Sequence, residues 1–151
     1  MQFGVVLSEL KIHYQDYVFM DIGSGKGRAL IMAAEFPFKR IVGVELSERL
    51  HEAAQSNLLR ARTKSRKCAD IETTLADAGT FSIPTVPMVL YLFNPFDAIV
   101  MAEMLTHIAR TIERCPRHVI IIYTNPKHRK LMDDSGFLTT RSCEDEYPGC
   151  R

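Results

Sequence analysis

The 151-residue chain has almost no net charge, no long apolar run and no closely paired cysteines. A formal net charge of +1 gives no general attraction to nucleic acid or to a membrane surface, so such a partner would need a local patch. No run approaches the roughly 20 apolar residues of a membrane-spanning helix. The apolar opening at residues 3–7 is also too short for a signal-peptide core. These absences predict a cytoplasmic protein with no membrane partner.

The cysteines and histidines lack the spacing of a metal site. No C-x-x-C pair joins any of the four cysteines, which are Cys68, Cys115, Cys143 and Cys150. The five histidines are scattered along the chain without the intervals that metal ligands show. We therefore predict free thiols and no metal site.

The length and the hydrophobic pattern predict one α/β domain. A chain of 151 residues that is 46% hydrophobic can build one core but is too short for two. We expect a helical segment at 1–16, a core at 17–143 and a tail at 144–151. Strands are predicted at 17–22, 40–45, 72–76, 88–93 and 119–123, and helices at 5–13, 25–36, 47–61, 97–112 and 127–134. This alternation predicts a doubly wound, mostly parallel sheet with helices on both faces.

A glycine-rich turn follows the first predicted strand. The strand ends near Asp21 and runs into Gly23, Gly25 and Gly27, and the second strand ends on Glu45. Glycines let a ligand approach the backbone, and the N–H groups at the start of the next helix attract an anionic group. A carboxylate after the second strand is typical of sites for adenosine-containing ligands. The pattern therefore predicts such a ligand.

The spacing of the glycines distinguishes between ligand classes. A dinucleotide fingerprint needs its third glycine at position 28, which is Arg28, so that reading is weakened. A Walker A loop needs a glycine at position 20 and Ser or Thr at position 27. The chain has Met20 and Gly27 there, so the phosphate-loop reading fails.

The same residues resemble a known family. Asp21-x-Gly23-x-Gly25-x-Gly27 with Glu45 is similar to motifs I and II of the class I S-adenosylmethionine-dependent methyltransferases. Asp77-Ala78 resembles the adenine-contacting position after the third strand, and Asn94-Pro95-Phe96 resembles motif IV after the fourth. The stretch 17–125 is similar to a bacterial group within this family. The resemblance implies a Rossmann-like α/β fold and S-adenosylmethionine as cofactor.

The resemblance also implies a role for each residue of the site. Asp21 would attract the ammonium group of the cofactor, Glu45 would accept from the ribose hydroxyls, and Asp77 would accept from the adenine amine. The amide of Ala78 would reach a ring nitrogen. The full set of implied cofactor-binding residues is Asp21, Gly23, Ser24, Gly25, Gly27, Glu45, Leu46, Asp77, Ala78 and Asn94.

Motif IV carries the implied catalytic residues, Asn94, Pro95 and Phe96. In the family, the asparagine oxygen and the proline carbonyl direct the lone pair of a target amino group, and an aromatic side chain stacks on a planar substrate. Phe96 stands where the family has a second proline, so the indication of nitrogen methylation is reduced. The alternative is that Asn94-Pro95 simply ends a strand before a helix capped by Asp97.

Other interpretations stay open. The basic residues Lys127, Arg129 and Lys130 follow the fifth strand and are candidates for holding an acidic substrate, or they are a solvated helix face. A nitrogen of a protein or nucleic acid is the preferred candidate for the acceptor, and a small metabolite is the next one. Two alternatives to a methyltransferase are an S-adenosylmethionine-binding regulatory or assembly module without turnover of its own, and an NAD-dependent oxidoreductase.

The end of the chain departs from the family pattern. Residues 144–151 form a poor candidate for the reversed seventh strand that usually closes the family's sheet. Either the domain lacks this antiparallel strand or the chain is a fragment. An N-terminal substrate-binding segment would be absent in the second case.

Overall fold

A computed structural model describes residues 3–61, 65–93 and 96–139. Five strands lie in this part of the chain: β1 Val18–Ile22, β2 Arg40–Glu45, β3 Ile71–Leu75, β4 Met88–Phe93 and β5 Val119–Thr124. The helices are α1 Phe3–Glu9, α2 Arg28–Ala33, α3 Glu48–Arg60, α4 Ala98–Arg114 and α5 Arg129–Asp133. A 3₁₀ turn at Tyr14–Asp16 precedes β1.

The five strands form one sheet in the order β3-β2-β1-β4-β5, and every neighbouring pair is parallel. The chain moves outward from β1 to β3 and then returns to place β4 on the other side of β1. At such a reversal the crossover helices leave opposite faces of the sheet, which opens a crevice at the carboxyl ends of the strands. The predicted Rossmann-like, doubly wound α/β fold is confirmed.

Two apolar layers cover the two faces of the sheet. Alternating side chains of β1 separate them, since Met20 and Ile22 belong to one cluster and Phe19 to the other. The first cluster includes Met101 and Ile108 of α4, whereas the second includes residues of α1 and α2. The sheet is thus buried on both sides, as the unbroken apolar run of β4 predicts.

Helix α2 begins later than the sequence pattern predicts. Gly27 has a φ of 77° and is the residue that precedes the helix, so the first helical residue is Arg28. Helix α1 instead begins earlier, at Phe3, and ends at Glu9. The predicted caps of α3 and α4 are confirmed: Ser47 accepts a hydrogen bond from Leu50, and Asp97 accepts from Ile99 and Val100.

Helix α2 lies unusually close to β2. A Cβ placed on Gly43 would lie 2.5 Å from Cδ1 of Leu30 and 2.9 Å from Oγ of Ser24, which is too short for either contact. The absence of a side chain at Gly43 therefore lets Leu30 pack directly on the backbone of β2.

Within the described ranges, none of the helices is both long enough and apolar enough to cross a membrane. The predictions for the seventh strand and the tail at 144–151 concern residues that lie outside the description. The division into segments therefore stays a prediction.

Candidate functional site

Backbone hydrogen bonds join the glycine turn to the end of β2. The amides of Gly23 and Ser24 both donate to the carbonyl of Val44, at 2.9 and 3.0 Å. The Gly27 amide then donates to the carbonyl of Ser24 at 2.8 Å, which turns the chain toward α2. The predicted site residues after β1 and β2 are thus brought together at one edge of the sheet.

Glu45 connects three segments of this edge. Its Oε2 accepts from the amide of Gly25 at 2.8 Å, and its Oε1 accepts from the amide of Ser47 at 2.9 Å. Its carbonyl accepts from the amide of Ala76 after β3, at 3.0 Å. Each carboxylate oxygen has a second lone pair, so both oxygens can still accept from the hydroxyls of a diol.

Asp21 is a buried carboxyl group, 4% exposed, for which the described residues provide no hydrogen bond. Burial, together with a smaller effect of the nearby Glu45 charge, raises its pKa from 3.8 to about 7. An ionised carboxylate in this position lacks a compensating positive charge. A cationic group of a ligand would supply that charge.

The space beside the glycine turn is open. A Cβ placed on Gly25 would meet no heavy atom within 4 Å, although the residue has a φ of 53°. The hydroxyl of Ser24 is buried and has no hydrogen-bond partner within the described ranges. A ligand at this turn could therefore contact the backbone of Gly25 without displacing a side chain.

The end of β3 supplies the next part of the edge. The Oδ1 atom of the exposed Asp77 accepts from the amide of Gly79 at 2.8 Å, which holds the carboxylate in a tight turn. Ala78 packs against one of the apolar clusters. Leu46, which follows Glu45, is 70% exposed and presents an apolar surface on the same edge.

The end of β4 contains two phenylalanines in different environments, and the implied catalytic role of Phe96 stays a prediction. Asn94 and Pro95 lie outside the described residues, so their implied catalytic roles stay predictions. Phe96 is partly buried and packs against the apolar cluster that includes α4. Phe93, the last residue of β4, is 58% exposed. The place of Phe93 at the very end of the strand could have indicated this exposure, but the family pattern directed attention to Phe96 alone.

The basic residues after β5 are mostly neutralised on their own helix. Arg129 lies 3.5 Å from Asp133, and Lys130 lies 2.5 Å from Asp134. Lys127 is exposed just before α5. Their candidate role with an acidic substrate stays a prediction, and the two ion pairs reduce the positive charge available for it.

Among the described residues, no group of three or more His, Cys, Asp or Glu side chains could hold a metal ion. The site contains a carboxylate pair, an open glycine turn and backbone amides at one edge of a parallel sheet.

Comparison with known families identifies the domain. The family model described as a methyltransferase domain matches residues 20–120, which is most of the chain. The chain belongs to this family. The match begins within β1 and extends into β5, so it includes every cofactor-binding residue predicted above. The class I assignment and S-adenosylmethionine as cofactor are confirmed, and the family gives no support to the NAD-dependent alternative.

Solved structures share the fold at low sequence identity. A predicted N6-adenine-specific DNA methylase from Listeria monocytogenes is 15% identical with a TM-score of 0.67, covering 94% of this chain and 47% of its own. An S-adenosylmethionine-dependent methyltransferase from Aquifex aeolicus is 14% identical with a TM-score of 0.66, covering 93% and 81%.

A third structure contains a reaction product. Phosphoethanolamine N-methyltransferase 1 from Haemonchus contortus, in complex with phosphoethanolamine and S-adenosylhomocysteine, is 20% identical with a TM-score of 0.54, covering 72% of this chain and 22% of its own. The chain spans about half the length of several of the structures it resembles. No curated protein matches the chain in sequence.

The described residues fit S-adenosylmethionine. The ligand has an ammonium group that can pair with the buried carboxyl of Asp21, which has no other partner among the described residues. The open space at Gly25 leaves room for the ligand at the start of α2, where the amides attract its carboxylate. Glu45 keeps lone pairs for the ribose.

Proposed function

We propose that the chain transfers the methyl group of S-adenosylmethionine to a nitrogen of a nucleic-acid or protein acceptor. The observation that carries the proposal is the buried carboxyl of Asp21 beside the glycine turn. The turn has open space at Gly25, whose amide donates to Glu45. A cofactor with a cationic amino group and a ribose diol satisfies both carboxylates.

The residues of the chain mainly hold the reactants in place. When bound, the cofactor supplies a methyl group already activated by its sulfonium, so the protein needs to align the nucleophile rather than transfer many protons. Asp21 and the amides of the glycine turn fix the amino acid tail, and Glu45 fixes the ribose. Asn94, which follows β4 in the sequence, would accept from the acceptor's amino group.

The choice of nitrogen rests on the sequence Asn94-Pro95. An amide oxygen and a backbone carbonyl that both accept from an N–H₂ group would direct the nitrogen lone pair at the methyl carbon. The related structures do not select the acceptor, because their names include both a DNA adenine methylase and a phosphoethanolamine methyltransferase. A nucleic acid or protein acceptor is favoured by Phe93, whose exposed ring on the rim suits a planar or apolar group.

A binding and turnover experiment tests the proposal. Calorimetry with S-adenosylhomocysteine would measure binding, and transfer of labelled methyl groups to tRNA, rRNA, total protein and metabolite pools would measure turnover. We expect binding and labelling of a macromolecular pool. Binding without labelling of any pool would favour the regulatory or assembly module. Tight NAD binding with no S-adenosylhomocysteine binding would overturn the proposal.

The matched variants are Asn94→Ala and Asn125→Gly. Asn125 follows β5 on the same edge and has a φ of 52°, which glycine adopts without strain. Asn125→Gly therefore removes a side-chain amide of the same type from a neighbouring position. We expect Asn94→Ala to lower turnover by about 100-fold or more, as loss of a transition-state contact does, with cofactor affinity nearly unchanged. Asn125→Gly should retain both. Equal turnover in both variants would remove Asn94 from the mechanism.

A further inference from the structure

A row of polar side chains crosses one face of the sheet near its carboxyl edge. In the β1–β4 ladder, Asp21 lies opposite Tyr91, and in the β4–β5 ladder, Tyr91 lies opposite Ile122. Phe19, Tyr91 and Ile122 belong to the same apolar cluster, so they share one face. Side chains two residues further along a strand return to the same face, which places Asp21 and Thr124 on it as well.

The ring of Tyr91 is held in one position. The residue is 8% exposed, and its ring centroid lies 4.5 Å from that of Phe3 in an edge-to-face arrangement. The ring also stacks on Phe19, with a centroid distance of 6.4 Å, and Phe3 contacts Phe19 as well. Since Phe3 belongs to α1, this helix presses the tyrosine against the sheet. The hydroxyl is then the part of the side chain that is free to make polar contacts.

Thr124 is a polar neighbour of the Tyr91 hydroxyl, and its side chain partly offsets the rise in the pKa of Tyr91 that burial causes. A tyrosine hydroxyl has one donor and two acceptor sites, so a single polar neighbour leaves at least one acceptor site unused. Burial raises the pKa of Tyr91, and the neighbouring Asp21 adds to this effect, which keeps the hydroxyl protonated at neutral pH. A neutral acceptor thus lies beside the unpaired carboxyl.

We propose that Tyr91 binds the ammonium group of S-adenosylmethionine together with Asp21, so that strands β1 and β4 hold the amino acid tail between them. The inference rests on the proposed function, since it assigns a partner to the same ligand. An ammonium has three N–H donors that point in different directions, so a carboxylate on one side leaves at least one donor for an acceptor elsewhere. The Tyr91 oxygen is an acceptor on the adjacent strand, at the same register position and on the same face.

Two ligands separate this role from a structural one. S-adenosylhomocysteine has the amino acid tail, whereas methylthioadenosine has the same adenosine and thioether without it. We expect Tyr91→Phe to weaken binding of S-adenosylhomocysteine by about 10- to 150-fold, the scale for one hydrogen bond to a charged group. Binding of methylthioadenosine should change by less than about twofold. Calorimetry on the full chain measures both.

Thr124→Val and Tyr17→Phe complete the test. Thr124→Val leaves the tyrosine in place but removes the polar neighbour of its hydroxyl, so we expect a smaller loss for S-adenosylhomocysteine and none for methylthioadenosine. Tyr17 lies before the opposite end of β1, where its hydroxyl is 2.6 Å from Nδ1 of His118. Tyr17→Phe removes an equivalent hydroxyl far from the site and should leave both affinities unchanged.

The outcomes are distinguishable. A wild-type chain that does not bind S-adenosylhomocysteine would overturn the proposed function and this inference with it. If the wild type binds but Tyr91→Phe has the same affinity, or loses equal affinity for both ligands, the inference on Tyr91 fails while the function stands.

Discussion

The amide of Gly25 donates to Oε2 of Glu45 at 2.8 Å, so a side chain at the end of β2 closes the turn that follows β1. The second carboxylate oxygen accepts from Ser47, which begins α3. Two motifs twenty positions apart in sequence are therefore one structural unit. A change at Glu45 should alter both the ribose contact and the shape of the glycine turn.

Replacing Glu45 by alanine should weaken cofactor binding. The variant loses a charged acceptor for the ribose and the bond that closes the turn at Gly25, and we expect an affinity loss of about 1–3 kcal/mol. Calorimetry with S-adenosylhomocysteine measures this loss. Glu45→Gln is the control, since it keeps the shape and one acceptor oxygen and should lose less. An unchanged affinity in Glu45→Ala would exclude the residue from the site.

Replacing Asp21 by asparagine should stabilise the domain at alkaline pH. The folded-state pKa of about 7 is above the ordinary 3.8, so the folded chain binds the proton more tightly than the unfolded chain. Stability from this group is therefore greatest below about pH 4 and is lost as the pH rises to about 7. Urea unfolding should show Asp21→Asn gaining about 1–3 kcal/mol over the wild type at pH 8 and less at pH 5. A lower free energy of unfolding for Asp21→Asn at pH 8 would contradict the inference that the Asp21 carboxylate lacks a compensating charge.

The same carboxyl should make cofactor binding depend on pH. A ligand ammonium beside Asp21 favours the ionised form, so binding should lower the pKa of Asp21 and release a proton below about pH 7. We expect the affinity for S-adenosylhomocysteine to rise between pH 5.5 and 7.5. Calorimetry in two buffers of different ionisation heat counts the proton directly. Proton release that persists in Asp21→Asn would assign it to another group.

The glycines at positions 25 and 27 should respond differently to alanine. Both have positive φ, but a Cβ on Gly27 would lie 3.2 Å from Cβ of Ala54, whereas one on Gly25 meets open space. Gly27→Ala should lower the free energy of unfolding by about 1–3 kcal/mol. Gly25→Ala should cost less stability but fill part of the cofactor space. Thermal melts with and without S-adenosylhomocysteine separate the two effects, and equal behaviour would show that Gly25 does not border the ligand.

Two phenylalanines near motif IV should also differ. Phe96 packs against the core, so Phe96→Ala should reduce stability by about 1–3 kcal/mol. Phe93 is 58% exposed, and Phe93→Ala should change stability by less than about 0.5 kcal/mol. If Phe93 contacts the acceptor, its variant should lower kcat/KM for methyl transfer with unchanged cofactor affinity. A normal kcat/KM would assign acceptor contact elsewhere on the rim.

The sequence predicts the strands and the edge of the site well, for a physical reason. Parallel strands end at one edge, so Asp21, Glu45 and Asp77 could be placed together from their positions after apolar runs. The caps at Ser47 and Asp97 were also predictable, because a cap depends on local backbone geometry alone.

The features that the sequence did not predict depend on contacts between distant segments. The pairing of Asp21 with Tyr91 depends on the register of β1 and β4, which β2 and β3 separate along the chain. The start of α2 was predicted too early because Gly27 has a left-handed conformation, and an added Cβ there would lie 3.2 Å from Cβ of Ala54 in α3. For Phe96, the family pattern implied a surface role, and packing against α4 decides its partial burial.

Gly43 influences the geometry of the cofactor site, although it lies in the interior behind that site. Any side chain at position 43 would push Leu30 and Ser24 outward. The distance between the glycine turn and the end of β2 therefore depends on the absence of a side chain there. Ligand affinity could therefore drift over evolution through residues that never touch the ligand. A search for variants with altered cofactor preference should include the buried residues that pack on β2 as well as the residues at the carboxyl edge of the sheet.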